Sequence, residues 1–282
     1  MGQEVCCNCR ENYRESEVFI DNNSKALNLM RYSNCTYPQR TTSSKNNHKL
    51  LDLINNQLDY GSNPQVKTLE ATYGVFVPKV PFPDTLPTII VNSLVQENSA
   101  IYYGQWYKEN QEKHGFGILV WPDGSKYVGY WVHDKANIVG RLMHSDGDMY
   151  EGEWKNDMAN GQGKLVNSMG VKYCGGWVND MQHGKGIEEW KDGTIYEGEY
   201  IQGNKSGQGR FTWADGASYE GQFKDNAIEG EGTYTWSDGK QYTGTWKNSR
   251  IEGKGVLKNA DGTIYKGNFV KDKEEGYGIC IW

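Results

Sequence analysis

The sequence predicts an all-β protein, built as an elongated, single-layer twisted sheet of stacked β-hairpins. Three observations support this prediction: a 23-residue period, an alternation of aromatic and polar residues within each period, and Asp-Gly pairs between periods. Tyrosines mark the period at constant spacing: Tyr127, Tyr150, Tyr173, Tyr196, Tyr219, Tyr242 and Tyr265. An earlier copy begins at Tyr102, 25 residues before Tyr127. A period of this length indicates stacked units of one kind.

Each period begins with a strand of the pattern Tyr-x-Gly-x-aromatic. In residues 150–154, Tyr150, Gly152 and Trp154 alternate with two glutamates, so the aromatic rings and the glycine share one face of a strand. A polar stretch over residues 155–160 is typical of a hairpin loop. Gly161 then begins a returning strand. Each period is therefore predicted to be one β-hairpin.

A second turn joins each hairpin to the next one. It contains Asp-Gly, which favours a tight turn because glycine adopts positive φ without steric cost. The pairs are Asp123-Gly124, Asp146-Gly147, Asp192-Gly193, Asp215-Gly216, Asp238-Gly239 and Asp261-Gly262. These pairs predict the direction in which the hairpins stack.

The repeated aromatic residues predict a continuous seam along the stacked hairpins, and this seam is the candidate partner-binding site. A glycine in mid-strand leaves a gap, which we expect a ring from a neighbouring strand to cover. Each buried Trp or Tyr removes about 150–250 Å² from water. The candidate residues are Tyr150, Trp154, Tyr173, Trp177, Tyr196, Trp213, Tyr219, Trp236, Tyr242 and Trp246.

Two further motifs recur with the strands: a His/Asn-Gly-x-Gly element, as in residues 114–117 and 160–163, and a Trp-x-Asp-Gly turn, as in residues 190–193. Together these motifs resemble MORN (membrane occupation and recognition nexus) repeats over residues 101–282, as seven full copies and a partial eighth. The resemblance implies a non-catalytic interaction module; members act as scaffolds at membranes, the cytoskeleton and cilia, including radial-spoke heads. The copy beginning at Tyr127 departs from the pattern, because Ile138 replaces its first glycine.

Residues 1–100 form a separate region by composition. All ten Trp and 32 of the 35 Gly lie in residues 101–282, whereas six of the seven Pro precede residue 90. The region is predicted to be mostly irregular, with one or two short helices. One helix is expected in residues 46–60, where Leu50, Ile54 and Leu58 share a helical face. Residues 77–88 are predicted to form an extended, Pro-rich linker.

The N-terminal residues resemble a lipidation signal. Gly2 follows the initiating Met, as N-myristoylation requires, and Cys6 and Cys7 are candidate palmitoylation sites beside it. One myristoyl chain binds a membrane weakly, so a second acyl chain is needed for stable anchoring. The alternative is an unmodified tail.

Charge and motifs predict neither nucleic-acid binding nor catalysis. The first hundred residues hold nine Lys+Arg against ten Asp+Glu, and the repeats hold 21 against 26. Neither region is basic enough for a nucleic-acid partner. We find no nucleophile-elbow or phosphate-loop motif, and we expect no catalytic residue, metal ligand or cofactor. The scattered histidines, His114 and His183 among them, are interpreted as turn residues.

The sequence thus predicts a non-catalytic scaffold that binds protein partners through its repeats. We expect it in the cytoplasm with reduced cysteines, held at a membrane by the N-terminal acyl chains. The alternative is a structural subunit of a ciliary, axonemal or cytoskeletal assembly. The last hairpin, from Tyr265 onward, is expected to offer an edge for self-association unless another segment covers it.

Overall fold

The computed structural model describes residues 63–282 and the backbone of Val5–Asn8. The chain divides into two compact units, which we call the helix unit (residues 29–181) and the second unit (residues 1–28 and 182–282). Gly2, the helix expected in residues 46–60 and the side chains of Cys6 and Cys7 lie outside the described residues.

The helix unit contains one described helix and eight strands. They are α1 (Pro64–Tyr73), β2 (Thr88–Val95), β3 (Ile101–Tyr107), β4 (Glu112–Val120), β5 (Lys126–Val132), β6 (Lys135–Met143), β7 (Met149–Lys155), β8 (Met158–Val166) and β9 (Lys172–Val178). From β2 to β9 each strand pairs antiparallel with the next in sequence. The sheet therefore begins at residue 88, one strand before the first repeat.

The second unit continues the same pattern. Its strands are β10 (Met181–Glu189), β11 (Ile195–Ile201), β12 (Asn204–Thr212), β13 (Ser218–Lys224), β14 (Ala227–Thr235), β15 (Gln241–Lys247), β16 (Arg250–Lys258), β17 (Ile264–Val270) and β18 (Lys273–Ile281). Each pairs antiparallel with its sequence neighbour. The predicted class, an all-β array of stacked hairpins, is confirmed.

The outer edge of β18 is paired in this structure. The N-terminal strand β1 (Val5–Asn8) runs antiparallel to it, with Val5 opposite Cys280 and Asn8 opposite Tyr277. The edge was expected to be open for self-association unless another segment covered it, and β1 covers it at residues 277–280. A strand from the N-terminal region supplies the missing hydrogen-bonding partner.

From β5 onward the hairpins use two-residue turns with positive φ at both positions, whereas four residues, 108–111, connect β3 and β4. In the β7–β8 hairpin these are Asn156 (φ 52°) and Asp157 (φ 68°). Such turns match the twist of antiparallel strands, and Asn and Asp tolerate this backbone conformation better than other non-glycine residues. The Asp-Gly turns between hairpins also form as predicted: in one, Gly193 N–H donates to Trp190 O at 3.0 Å.

Helix α1 was not predicted from the sequence. Asn63 caps its start, because the Asn63 side chain accepts hydrogen bonds from the N–H groups of Gln65 and Val66 at 2.9 and 3.1 Å. The helix ends at Gly74, which has φ 69°. Its buried side chains, Val66 and Leu69, lie against the face of the sheet opposite the tyrosine seam.

That face of the helix unit is apolar. Its core contains Val66, Leu69, Tyr103, Phe116, Ile118, Val128, Tyr130, Met143 and Met149. The chain after α1 packs against this core through Val77, Val80 and Phe82, and Tyr130 Oη donates to Val80 O at 2.9 Å. The segment predicted as a linker is extended, but it is a packed part of the unit rather than a spacer, and Thr88 already belongs to β2.

One cysteine departs from the reduced state expected from the sequence. Cys174, in β9, is disulfide-bonded. The expectation that all cysteines are reduced is therefore wrong at Cys174.

Candidate functional site

Repeat tyrosines such as Tyr219 cover two glycines within their unit, which explains why glycine occupies mid-strand positions. Gly221 and Gly232 face each other across β13 and β14, and Tyr219 lies over both. A Cβ at Gly221 would lie 2.5 Å from Tyr219 Oη, and a Cβ at Gly232 would lie 2.4 Å from its Cζ. No side chain fits there. The covering ring comes from the strand of the first glycine, whereas the sequence analysis placed it on a neighbouring strand.

The tyrosine hydroxyl groups are satisfied by the backbone. Tyr219 Oη donates to the carbonyl of Gln222, three residues later, at 3.1 Å. The same bond forms at Tyr102, Tyr127, Tyr150, Tyr173, Tyr196 and Tyr242. Burial, and secondarily the charge of Glu231, raises the pKa of Tyr242 to about 12. These phenols are neutral structural groups at physiological pH.

The predicted aromatic seam is present within each unit. The Tyr219 ring stands edge-on to Phe223 of its own hairpin (5.2 Å between centroids, 86° between planes) and to Trp246 of the next hairpin (5.5 Å, 80°). This T-shaped geometry is favourable for aromatic rings. The same pairing links Tyr150 to Trp154 and Trp177. Within their units, Tyr219 and Tyr150 therefore link their own hairpin to the following one.

Eight of the ten candidate partner-binding residues are buried by this packing. Tyr150, Trp154, Tyr173, Trp177, Tyr196, Tyr219, Tyr242 and Trp246 are each 8% exposed or less. They hold the array together and leave little area for a partner. Trp213 and Trp236 differ, because both are half-buried.

Trp213 and Trp236 belong to a second line of rings, beside the Asp-Gly turns of the second unit. The centroids of Trp190 and Phe211 lie 5.5 Å apart, and those of Phe211 and Trp213 lie 4.7 Å apart. Tyr234 continues the line to Trp213 (5.1 Å) and Trp236 (4.6 Å). Phe211 and Tyr234 are buried, while the three indoles keep accessible area. We call Trp190, Trp213 and Trp236 the Trp line.

A ladder of hydrogen bonds, which we call the turn ladder, joins the turn of each hairpin to the start of the returning strand in the hairpin before it. In each step the second turn residue donates its N–H to the carbonyl of the residue 21 positions earlier, as Asp157 does to Ala136 and Asp180 does to Ala159, both at 3.0 Å. Steps at Asp134, Gly203, Asn226, Ser249 and Asp272 follow the same spacing. This ladder was not predicted from the sequence. The recurrence of Asp or Asn at the second turn position could have indicated it.

A model of the family described as MORN repeat matches residues 102–126, 150–171, 173–195, 196–218, 219–241, 242–264 and 265–282. These ranges cover more than half of the chain. The chain belongs to the MORN-repeat family. Proteins of this family are repeat scaffolds and are generally non-catalytic.

The MORN match omits residues 127–149, the copy in which Ile138 replaces glycine. The hairpin nevertheless forms. Ile138 takes the positive φ of the glycine it replaces (64°), and it lies opposite Trp154, while Gly140 still pairs with Gly152. Ile138 also packs against the core beneath α1, which offsets the backbone strain.

Other comparisons add no function. No curated protein matches this MORN chain. Among solved structures, the TCP domain of Drosophila melanogaster SAS-4 (dCPAP), in complex with a proline-rich motif of Ana2 (dSTIL), is 12% identical, with TM-score 0.35, covering 69% of this chain and 99% of that one. The TCP10 domain of Danio rerio CPAP is 13% identical, with TM-score 0.25, covering 64% of this chain and 83% of that one. Virginiamycin B lyase of Staphylococcus aureus is 16% identical, with TM-score 0.15, covering 65% of this chain and 64% of that one. We draw no conclusion from similarities this low.

Charged side chains anchor α1 and the chain after it to the MORN sheet. Arg141, which is buried, donates through Nη1 to Gly74 O at 2.5 Å and through Nε to Glu151 Oε2 at 2.7 Å. Lys126 Nζ pairs with Glu70 Oε1 at 2.6 Å. The sequence signal for this cover was visible: the first copies carry apolar residues at strand positions where later copies carry polar ones.

The interpretation of His114 and His183 as turn residues is wrong, because they lie within strands β4 and β10, whereas His133 lies in the β5–β6 turn. His133 N–H lies 3.5 Å from His114 Nδ1. In later copies a glutamate accepts the equivalent bond, as Glu229 does from Asn248 N–H at 2.8 Å. His114 also belongs to the group, among the described residues, that could hold a metal ion, together with Glu112 and His133.

The lipidation prediction falls mostly outside the described residues. Gly2 is not described, and the backbone of Cys6 and Cys7 lies in β1, opposite Ile279 and Gly278. Within the described part of the chain, no helix is both long and apolar enough to cross a membrane.

Proposed function

We propose that this chain is a non-catalytic MORN-repeat scaffold that captures a protein partner with the Trp line of its second unit. We further propose that acylation at Gly2, Cys6 and Cys7 tethers the scaffold to a membrane from the cytoplasm. The half-buried indoles of the Trp line carry the first proposal. The N-terminal sequence motivates the second.

The Trp line suits a protein partner because its rings are already fixed. Phe211 and Tyr234 wedge Trp213 in place, so little side-chain entropy is lost when a partner covers the indole. Tryptophan is enriched among residues that dominate binding energy at protein interfaces. Lys240 Nζ lies 5.0 Å from the Trp236 ring centroid and occupies part of that face. Aromatic or aliphatic partner side chains are therefore the expected contacts.

The test is quantitative capture of partners by the full-length chain and a Trp213→Ala/Trp236→Ala variant. The variant is expected to lose its specific partner, with at least a tenfold weaker affinity once that partner is purified. Tyr277→Ala is the control, because Tyr277 is 81% exposed and lies in β18, outside the Trp line. Circular dichroism must show that both variants are folded. Equal binding by the folded double variant would place the interface elsewhere.

The acyl anchor is tested separately in cells. Labelling with an alkyne analogue of myristate should mark the natural chain and spare Gly2→Ala. A palmitate analogue should depend on Cys6 and Cys7, and membrane partitioning should fall in all these variants because one chain alone binds weakly. An unlabelled natural chain would remove the anchor from the proposal.

The proposed cytoplasmic location can be tested in the same cells. Disulfides persist in oxidising compartments, so the bonded Cys174 calls for a direct thiol count. If Cys174 is alkylated without prior reduction in the natural chain, the cytoplasmic location stands. Protection of Cys174 would argue against the cytoplasmic location. Detergent-resistant sedimentation alongside axonemes would favour the ciliary or cytoskeletal alternative.

A further inference from the structure

A cluster of two histidines and two carboxylates lies at the start of the MORN array, away from the Trp line. Ligand atoms of Glu112, His114 and His133 lie within 4.8 Å of one another. His133 Nδ1 is 2.8 Å from Glu112 Oε1. His114 Nε2 is 3.0 Å from Asp84 Oδ2. We propose that Glu112, His114 and His133 form a binding site for a divalent transition-metal ion of the Zn²⁺ class, with Asp84 orienting His114.

The contacts of His114 direct a lone pair into the cluster. Asp84 accepts from Nε2–H, and the N–H of His133 points to Nδ1. Both contacts require the tautomer that carries its proton on Nε2. Nδ1 then faces His133 and accepts only the long 3.5 Å contact from its N–H, which a bound ion would replace. A carboxylate behind a ligating histidine is the usual arrangement of zinc sites, because it fixes the ring and raises its basicity.

The exposed fraction of the side chain increases from His114 to Glu112 to His133. His114 is fully buried, the Glu112 side chain is 13% exposed, and the His133 side chain is 58% exposed. An ion would therefore enter past His133. Zn–N and Zn–O lengths of about 2.0–2.2 Å place ligand atoms roughly 3.3–3.5 Å apart. The 2.8 Å contact between His133 Nδ1 and Glu112 Oε1 must therefore open slightly, while the wider pairs of the cluster close. The exposed His133 side chain can make that adjustment by rotation.

The sister repeats show that turn structure alone does not demand these residues. The positions equivalent to Glu112, His114 and His133 are Met158, Asn160 and Asn179 in one copy, and Ala227, Glu229 and Asn248 in another. The copy with His183 has Met181 and Gln202 at the other two positions. Only the first copy combines three metal-binding side chains, although the hairpins are built alike.

The ligand set selects the class of ion. Two imidazoles and one carboxylate suit Zn²⁺ and its first-row neighbours, whereas Mg²⁺ and Ca²⁺ prefer oxygen ligands alone. Three protein ligands leave a position for water. Because Asp84 lies on the chain after α1 and the ligands lie on β4 and the β5–β6 turn, a bound ion would fasten that chain to the first two hairpins.

The test is a calorimetric titration of the chelator-treated full-length chain with Zn²⁺ and, in parallel, with Mg²⁺. One Zn²⁺ ion should bind per chain at this site, and Mg²⁺ should not compete. His114→Asn and His133→Asn copy sister repeats, so they should fold and lose the site. Asp84→Asn should weaken affinity about 10–100-fold, as other residues behind a metal ligand do. His183→Asn is the matched control and should bind as the natural chain does.

The N-terminal cysteines are the competing zinc ligands, so each titration is repeated after thiol alkylation. Binding that survives alkylation and disappears in His133→Asn establishes the site. Binding abolished by alkylation, or unchanged in both histidine variants, would overturn the proposal, as would no stoichiometric uptake. A second readout is thermal unfolding: Zn²⁺ should raise the midpoint of the natural chain and of His183→Asn, but not that of His133→Asn.

Discussion

Asp157 and Ala136, 21 residues apart, exchange two hydrogen bonds that join the β7–β8 turn to the start of β6. The N–H of Asp157 donates to Ala136 O at 3.0 Å, and Asp157 Oδ1 accepts from Ala136 N–H at 2.7 Å. The side-chain half of this exchange recurs between Asp180 and Ala159. Gly203 has no side chain, so it makes only the backbone bond, to Gln182 O.

The side chain of Asp157 is therefore expected to stabilise the array. Asp157→Gly keeps the positive φ and the backbone bond but removes the acceptor, so the free energy of unfolding should fall by about 1 kcal/mol. Asp157→Asn retains an acceptor, as Asn226 does for Lys205 N–H at 2.8 Å, and should be close to neutral. Urea unfolding measures both. Equal losses in the two variants would contradict a role for the oxygen.

The space beneath Tyr219 predicts a large penalty for one methyl group. In Gly232→Ala the new Cβ would lie 2.4 Å from the tyrosine Cζ, so the ring must move and lose its contacts with Phe223 and Trp246. Overpacking of this kind costs about 1–3 kcal/mol. The measurement is the shift of the thermal unfolding midpoint.

A matched glycine separates this clash from a general effect of losing glycine. Gly239 has φ 87°, with open space around it. Gly239→Asn is expected to change stability by less than about 0.5 kcal/mol, because Asn tolerates positive φ. If both variants lose equal stability, the covering ring is not the cause.

Alkaline pH should destabilise the fold before the buried tyrosines titrate. Burial, with the charge of Asp215 second, raises the pKa of Tyr234 to about 12, and that of Tyr242 is about 12 as well. In the unfolded chain both ionise near pH 10. The unfolded state therefore binds fewer protons between pH 10 and 12, and stability falls as pH rises through that window.

Tyr242→Phe tests this linkage, because it removes one ionisable group and keeps the ring. The variant loses the hydroxyl bond to Thr245 O, so it should be less stable at neutral pH. Its stability should then fall less steeply between pH 10 and 12. Equal slopes in denaturant titrations at several pH values would contradict the assignment.

Arg141 is expected to hold α1 on the sheet. Arg141→Met removes the bonds to Gly74 O and Glu151, and it should cost about 3 kcal/mol, since Glu151 keeps Lys164 as a partner at 3.2 Å. Hydrogen exchange of the α1 amides should rise. Arg210→Met is the control: Arg210 holds the same position in a later copy, facing Glu197 and Glu220, but it is exposed. Faster exchange in both variants would argue against a specific anchor.

The hairpins were predictable because their physics is local and repeated. The alternation of Tyr150, Gly152 and Trp154 fixes a strand and its faces within five residues, and the Asp-Gly pair fixes the turn. Helix α1 gave no comparable pattern: only Val66 and Leu69 are buried in it, and it depends on Asn63 and on the sheet beneath. Its signal lay elsewhere, in apolar residues such as Phe116 on both faces of the first strands.

The candidate sites were less predictable, because they depend on contacts between copies. Trp213 and Trp154 were both predicted to bind a partner. In the structure, packing buries Trp154 against Tyr127 and leaves Trp213 half-buried. Glu112 and His133 are also 21 residues apart. Their proximity follows only once the spacing of the turn ladder is known.

The ladder sets how this chain can change in length. A residue inserted between two rungs would break the 21-residue spacing and turn the remaining side chains of the affected strand to the opposite face of the sheet. Growth or loss by whole repeats keeps every rung. The one copy of unusual length, from Tyr102 to Tyr127, places its extra residues between β3 and β4, in residues 108–111. That is the first hairpin turn of the array, with no earlier rung to satisfy, so length variation is tolerated where the ladder has not yet begun.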